Sequence, residues 1–195
     1  MDEMECVLAF ASNFKYMERI FIIGYMGSGK TTIGKLLAKA LSLSFVDLDA
    51  YIEKKYRKTV PALFEEKGEE GFRKIESQSL REVADFEDVV VSTGGGTPCF
   101  FDNMEVMNRT GITLYLDAHP EELADHLMAS KTVRPLIVGK SREELIPFIT
   151  KHLAGRESHY RKAQIIYPID RMITKDEIHL TVRGIEEHLK RRNAK

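Results

Sequence analysis

Gly24, Gly27 and Gly29 fall within six residues, and Lys30, Thr31 and Thr32 follow at once in the run RIFIIGYMGSGKTTIGKLLAKAL, Arg19 to Leu41. Gly24 to Thr31 satisfies the pattern G-x-x-x-x-G-K-[ST] in full. Glycines at this spacing let successive backbone N–H groups turn inward, and the helix that follows adds the positive end of its dipole. Together they make an anion cradle. In such a loop a lysine reaches the β- and γ-phosphates and the next hydroxyl ligates Mg²⁺. Gly27, Ser28, Gly29, Lys30, Thr31 and Thr32 are therefore expected to hold a nucleoside triphosphate, with Thr31 on the metal. The motif does not say whether the phosphoryl group goes to water, to another molecule or nowhere.

A second chemical signal is the acid pair Asp47 and Asp49 in FVDLDAYIEKK. Two residues apart in an extended segment, both side chains point to one side of the sheet edge. Beside a bound triphosphate, one carboxylate can hold the water shell of Mg²⁺ while the other orients an acceptor hydroxyl. Phosphoryl transfer asks for placement and charge stabilisation more than for a strong base. The plainer alternative is a helix N-cap followed by one solvated acid.

These residues need a frame. Ile20–Ile23 is a short apolar run closed by Gly24, the pattern of a buried parallel strand. Ile33, Leu36, Leu37, Ala40 and Leu41 then recur at the spacing of one helix face. LSFVDLD, VVVSTGGG (Val89 to Gly96), GITLYLD (Gly111 to Asp117) and AQIIYP read as further strands, and helices are predicted over about 48–58, 61–85, 101–109, 120–130, 141–163 and 182–193. Alternating strands and helices imply right-handed βαβ units and a parallel sheet with a ligand crevice at the carboxyl ends of its strands. Gly24, Asp47, Asp49 and Gly94 to Gly96 all fall at such ends. MASKTVRPLIVGKS, basic and carrying Pro135 and Gly139, reads as a loop of a different kind.

Bulk properties narrow the class. The chain has 195 residues, 43% hydrophobic and 30% charged, with a net charge of −1, which suits a soluble globular domain and argues against a broad nucleic-acid surface. Cys6 and Cys99 lack metal-ligand spacing and are too few for a disulfide framework, so a reducing cytoplasm is expected. Asp2, Glu3 and Glu5 stand where a secretory signal would carry Lys or Arg. Met17 precedes the first strand, so residues 1–16 read as an N-terminal extension or an upstream start, ahead of a domain over 17–195. The histidines show no metal-pair spacing and read as surface or helix residues.

The same segments carry a resemblance to the shikimate kinase family that spans nearly everything from Arg19 to the final helix. GYMGSGKTTIGKLLAKAL, FVDLDAYIEKK, FEEKGEEGFRKIES, VVVSTGGGTPC, VRPL and GRESHY occur in that family's order at similar separations. The resemblance implies an α/β P-loop kinase fold: a five-stranded parallel sheet of order 2-3-1-4-5, helices on both faces and a lid loop, similar to nucleoside monophosphate kinases. It also implies transfer of the γ-phosphate of ATP to the 3-hydroxyl of shikimate, a step of aromatic amino-acid biosynthesis, with ATP and Mg²⁺ required. By position, Asp49 resembles the acid that orients the acceptor hydroxyls and Asp47 the one near Mg²⁺. Arg73 in GEEGFR and Arg156 in GRESHY resemble the pair that binds the substrate carboxylate. Gly94, Gly95 and Gly96 resemble the loop that walls the substrate pocket. Arg134 in VRPL resembles the lid arginine that closes over ATP, within a lid of about 128–140. Lys30, Asp49 and Arg134 are thereby expected to be catalytic. Gln164 stands where the family often carries an acid, and no base-contacting residue is placed.

Residue chemistry agrees with these roles. A carboxylate is best matched by the two parallel N–H groups of a guanidinium fork; Arg73 or Arg156 taken singly reads more readily as a solvated helix-surface cation, and the surrounding motifs reverse that reading. Three glycines can let a small polyol approach the backbone, or they can serve a strand-end turn of positive φ. A gluconate-type or other polyol kinase on the same scaffold is one alternative, and a non-catalytic nucleotide-binding regulatory module is another. A monomer acting on a small molecule, with no nucleic acid or membrane partner, is expected.

Overall fold

The computed structural model describes residues 19–130, 137–170, 172 and 174–193. The expected extension over 1–16 and the lid arginine Arg134 lie outside the described residues.

Strand β1 (Arg19–Ile23) is the middle of the sheet, and Ile20, Phe21, Ile22 and Ile23 are fully buried. An unbroken apolar run needs cover on both faces, and each such side chain removed from water contributes about 1.5–3 kcal/mol. With β2 (Ser44–Asp47), β3 (Val89–Ser92), β4 (Ile112–Ala118) and β5 (Ile165–Ile169) it forms a parallel sheet of order β2-β3-β1-β4-β5, as expected. Register decides where the chemistry meets. Ser92 pairs with both Ile22 and Asp47, so the carboxyl ends of β1, β2 and β3 finish side by side.

Helix α1 (Lys30–Leu41) starts directly from the glycine loop and packs on the sheet through Ile33, Gly34, Leu37 and Ala38. Its buried stripe is rotated from the expected one: Ala40 faces solvent, and Gly34 lies inward because a methyl there would come within 2.6 Å of the Phe45 ring. Helix α2 (Leu48–Tyr56) follows β2 without a linker. Helix α3 (Val60–Val83) is two helices joined at Gly68, whose φ of 67° and ψ of 178° break the expected continuous run. A short 3₁₀ turn (Thr97–Cys99), α4 (Asn103–Thr110) and α5 (Pro120–Ala129) follow.

The segment expected as one helix over 141–163 is also broken. Helix α6 (Arg142–Ala154) opens with a Ser141–Glu144 capping box, ends at Gly155, and hands over to α7 (Glu157–Tyr160). Arg156 sits at that junction, its N–H donating to Leu153 O at 2.8 Å. Helix α8 (Lys175–Asn193) begins a turn or more before the expected start. The cause is a second capping box: Thr174 Oγ1 accepts from Glu177 N at 3.3 Å, and Glu177 Oε2 accepts from Thr174 N at 2.8 Å. Among the described residues, no helix is long and apolar enough to cross a membrane.

Candidate active site

The loop between β1 and α1 has the torsions that its glycines allow. Gly27 and Gly29 take φ of 86° and 82°, a region that L side chains rarely adopt, and Gly29 is the N-cap of α1. Lys30 is almost wholly buried, and its Nζ donates to the carbonyls of Gly24 at 2.9 Å and Tyr25 at 2.8 Å. The ammonium is thus folded over its own loop, at the mouth of a cleft of about 610 Å³. Gly27, Gly29, Thr31 and Thr32 line that cleft with it. Ser28 does not: its side chain is fully buried, and its N–H donates to Tyr25 O at 3.2 Å.

Both acids line the same cleft, though not by the expected geometry. Asp47 closes β2 and caps α2, its Oδ1 accepting from Ala50 N at 3.3 Å, while Asp49 is already in the first turn of α2. The strand therefore ends two residues short of Asp49, too early for an extended pair. Asp47 Oδ2 accepts from Thr31 Oγ1 at 2.9 Å, and Ser92 Oγ lies 3.5 Å from that hydroxyl. Three hard oxygens, two from strand ends and one from the first turn of α1, meet there.

Asp49 faces the other way, toward Gly94. A methyl placed on Gly94 would stand 3.2 Å from Asp49 Oδ1 and 2.9 Å from Glu76 Oε1. Burial above all, then the negative charges of Glu76 and Asp47, pushes the Asp49 carboxyl up to about 6, with Lys30 pulling the other way.

The triple glycine serves close approach rather than unusual torsion, because none of Gly94, Gly95 and Gly96 takes a left-handed φ. A methyl on Gly96 would meet both Nη1 and Nη2 of Arg73 at 2.7 Å, and one on Gly95 would lie 3.6 Å from Arg156 Nη1. The two arginines thus flank one glycine wall, at the edge of the cleft rather than in its lining. Tyr160 Oη pins the wall by donating to Gly95 O at 2.5 Å.

Arg73 is buried and heavily held. Its Nη1 donates to Glu76 Oε2 at 2.9 Å, its Nη2 to Glu69 Oε1 at 3.3 Å, and its guanidinium lies 4.2 Å from the centre of the Phe100 ring. Glu76, itself 1% exposed, also accepts from Thr97 Oγ1 at 2.6 Å. Glu76 and Thr97 are site residues that sequence reasoning missed. The signal for Glu76 was present, since it follows Arg73 by three residues on one helix face.

The histidines read as surface or helix residues, and His126 and His152 do lie on helices α5 and α6, where they also make contacts near the loop. His126 Nδ1 lies 3.0 Å from Gly27 O and its Nε2 accepts from Met172 N at 3.4 Å. With Ala129, Met172 and Ile178 it lines the same cleft. His152 stands between Tyr25 and Arg156.

The family model described as shikimate kinase matches residues 26–182. The chain is 54% identical over 163 residues to a shikimate kinase of Parabacteroides distasonis, covering 84% of this chain and 94% of the relative. It is 52% identical over 173 residues to one of Phocaeicola vulgatus, covering 89% and 99%. Among solved structures, the shikimate kinase of Bacteroides thetaiotaomicron superposes with a TM-score of 0.86 at 49% identity, covering 89% of this chain and 99% of that one. The Acinetobacter baumannii shikimate kinase in complex with shikimate gives 0.75 at 31% identity, covering 93% and 98%. With its phosphate loop, acid pair and arginine-flanked glycine wall brought to one crevice, and with these likenesses over most of its length, the chain belongs to the shikimate kinase family.

Proposed function

We propose that this chain moves the γ-phosphoryl group of ATP to the 3-hydroxyl of shikimate, releasing ADP and shikimate 3-phosphate, and does so in the cleft between the phosphate loop and the glycine wall. The observation that carries the reading is the position of Asp49, on the same cleft as Lys30 and against the wall that Arg73 and Arg156 flank.

Each residue then has a task that its surroundings suit. Ionised Asp49 accepts a hydrogen bond from the acceptor hydroxyl and aims its oxygen at the γ-phosphorus. Lys30 offsets charge on the β- and γ-phosphates, beside the backbone N–H groups of the loop and the first turn of α1. Arg73 and Arg156 fork the substrate carboxylate above Gly94, Gly95 and Gly96. Glu76 fixes one edge of the Arg73 fork, whereas Glu69 is mostly exposed and its 3.3 Å contact is long for a charged pair, so a substrate carboxylate can replace it. Ala129, Met172 and Ile178 offer an apolar seat for the base. Arg134 enters the proposal as lid arginine on sequence grounds alone.

Thr31 and Asp47 suit Mg²⁺, a hard cation that takes a few protein oxygens and completes its shell with phosphate and water. Bound there, Mg²⁺ supplies neutralisation of the phosphate oxygens. A monomeric, cytoplasmic enzyme completes the proposal, supported by a cleft lined within one chain and by the scarcity of cysteine.

The test is an ADP-release assay with ATP and Mg²⁺ against shikimate, gluconate and no acceptor. Shikimate-dependent release is expected. Gluconate-dependent release would indicate a different polyol kinase, acceptor-independent release an NTPase, and none at all a binding module. Within the same assay, Arg73→Lys is expected to raise the KM for shikimate by about 10- to 100-fold with a smaller change in kcat, because an ammonium lacks the fork. An unchanged KM would remove Arg73 from the clamp.

A further inference from the structure

Tyr25 is the first variable residue of the phosphate loop, and its hydroxyl lies 2.9 Å from His152 Nδ1 in the last turn of α6. The opposite ring nitrogen, Nε2, lies 3.3 Å from Arg156 Nη2. A guanidinium can only donate, so Nε2 must be the bare acceptor; in the neutral ring the proton then sits on Nδ1 and is donated to the Tyr25 oxygen. Packing reinforces this orientation. The ring meets Tyr25 edge-on at 5.7 Å and lies against Phe148 at 5.5 Å. Burial first, and the Arg156 charge second, hold the imidazole below its ordinary range, which favours the neutral form that this geometry requires.

Arg156 needs such a partner more than Arg73 does. Arg73 is fixed by the carboxylates Glu76 and Glu69, whereas Arg156 meets the Tyr160 side chain and, at 5.8 Å, the Tyr25 ring, and among the described residues no carboxylate pairs with it. A long side chain without fixed partners loses rotamer freedom on binding a ligand, and a preset one does not.

We propose that His152 is the positioning residue of the Arg156 carboxylate clamp: anchored by the Tyr25 hydroxyl, it holds the guanidinium beside Gly95 in the orientation that receives the substrate carboxylate. The inference rests on reading Arg156 as part of that clamp. His152 touches neither phosphate nor acceptor hydroxyl, so its removal acts on acceptor affinity and leaves turnover of the filled site largely intact.

The test is calorimetric titration of shikimate into the full chain, together with KM for both substrates, kcat and a thermal melt, for His152→Leu, His152→Gln, Tyr25→Phe and Arg156→Lys. His152→Leu is expected to raise the dissociation constant for shikimate about tenfold with kcat and the KM for ATP little changed. His152→Gln, whose amide oxygen can accept in place of Nε2, is expected to recover most of that loss, and Tyr25→Phe to show a smaller rise. If Arg156→Lys binds weakly but His152→Leu binds as the parent does, the inference falls and the clamp stands. If Arg156→Lys also binds as the parent does, the clamp reading itself falls. A His152→Leu variant that loses affinity for both substrates alike and melts lower, without recovery by glutamine, marks a purely structural histidine and also overturns the inference.

Discussion

Lys30→Ala is expected to lower kcat by about 10²- to 10³-fold, the scale set by removing one preorganised charge-stabilising donor. The ammonium is buried and held by the Gly24 and Tyr25 carbonyls, so it does not have to be gathered from solvent when charge builds on the phosphate oxygens. Water screens such a cation far less here than at an exposed surface. Ground-state binding should suffer less, because the backbone N–H groups of the loop and the start of α1 remain. The measurement is kcat beside the dissociation constant of ADP, with a melting curve to show that the loop carbonyls tolerate the loss of their donor. A folded variant with undiminished kcat would remove Lys30 from the chemistry.

Asp49→Asn is expected to cost about 10² in kcat while making the metal-free, nucleotide-free protein more stable at neutral pH. An amide of nearly the same shape can sit against Gly94, but it carries no charge with which to draw in the acceptor hydroxyl. The stability gain follows from the carboxyl's surroundings. Its pKa in the folded chain is raised from 3.8 to about 6, by burial first and then by Glu76 and Asp47. A raised folded value means that the stabilising contribution is fully present below the unfolded pKa and is lost as pH climbs through about 6. Near pH 7 the ionised group therefore costs about 3 kcal/mol, which asparagine avoids. Melting curves of parent and variant should diverge between mildly acidic and neutral pH, with the variant higher at the neutral end. Equal melting at both ends would mean that the carboxylate is not crowded, and an unchanged kcat would mean that it does not hold the acceptor.

Taken together, these two effects describe a site whose charges oppose one another until substrate arrives. Asp47, Asp49 and Glu76 crowd one side of the cleft, while Lys30, Arg73 and Arg156 stand around it. Carboxylates crowded together in a largely buried site, as at Asp49, are costly in a folded chain, and functional sites tolerate that cost for the sake of preorganisation.

The phosphate loop was legible in the sequence because everything it needs is contiguous: an apolar strand, glycines able to take positive φ, a lysine and a helix start. The strand and helix alternation was legible for the same local reason, and the resemblance supplied the sheet order that periodicity cannot. Where sequence reading erred, a nearby residue had altered the local geometry. Gly68 and Gly155 broke two helices expected to be continuous, the Thr174–Glu177 box started α8 early, and Asp47 took a capping role that turned Asp49 into a helix.

What only the tertiary structure decided was contact across long stretches of chain. The role of Gly94 to Gly96 follows from the Arg73 guanidinium and the Asp49 and Glu76 carboxylates that press on them, none of which is near them in sequence. Tyr25 and His152 are 127 residues apart and meet only in the folded chain. Local sequence sets torsions and caps through short-range sterics and hydrogen bonds. Which side chain supports which depends on the packing of the whole sheet and its helices, and that is a property no single segment carries.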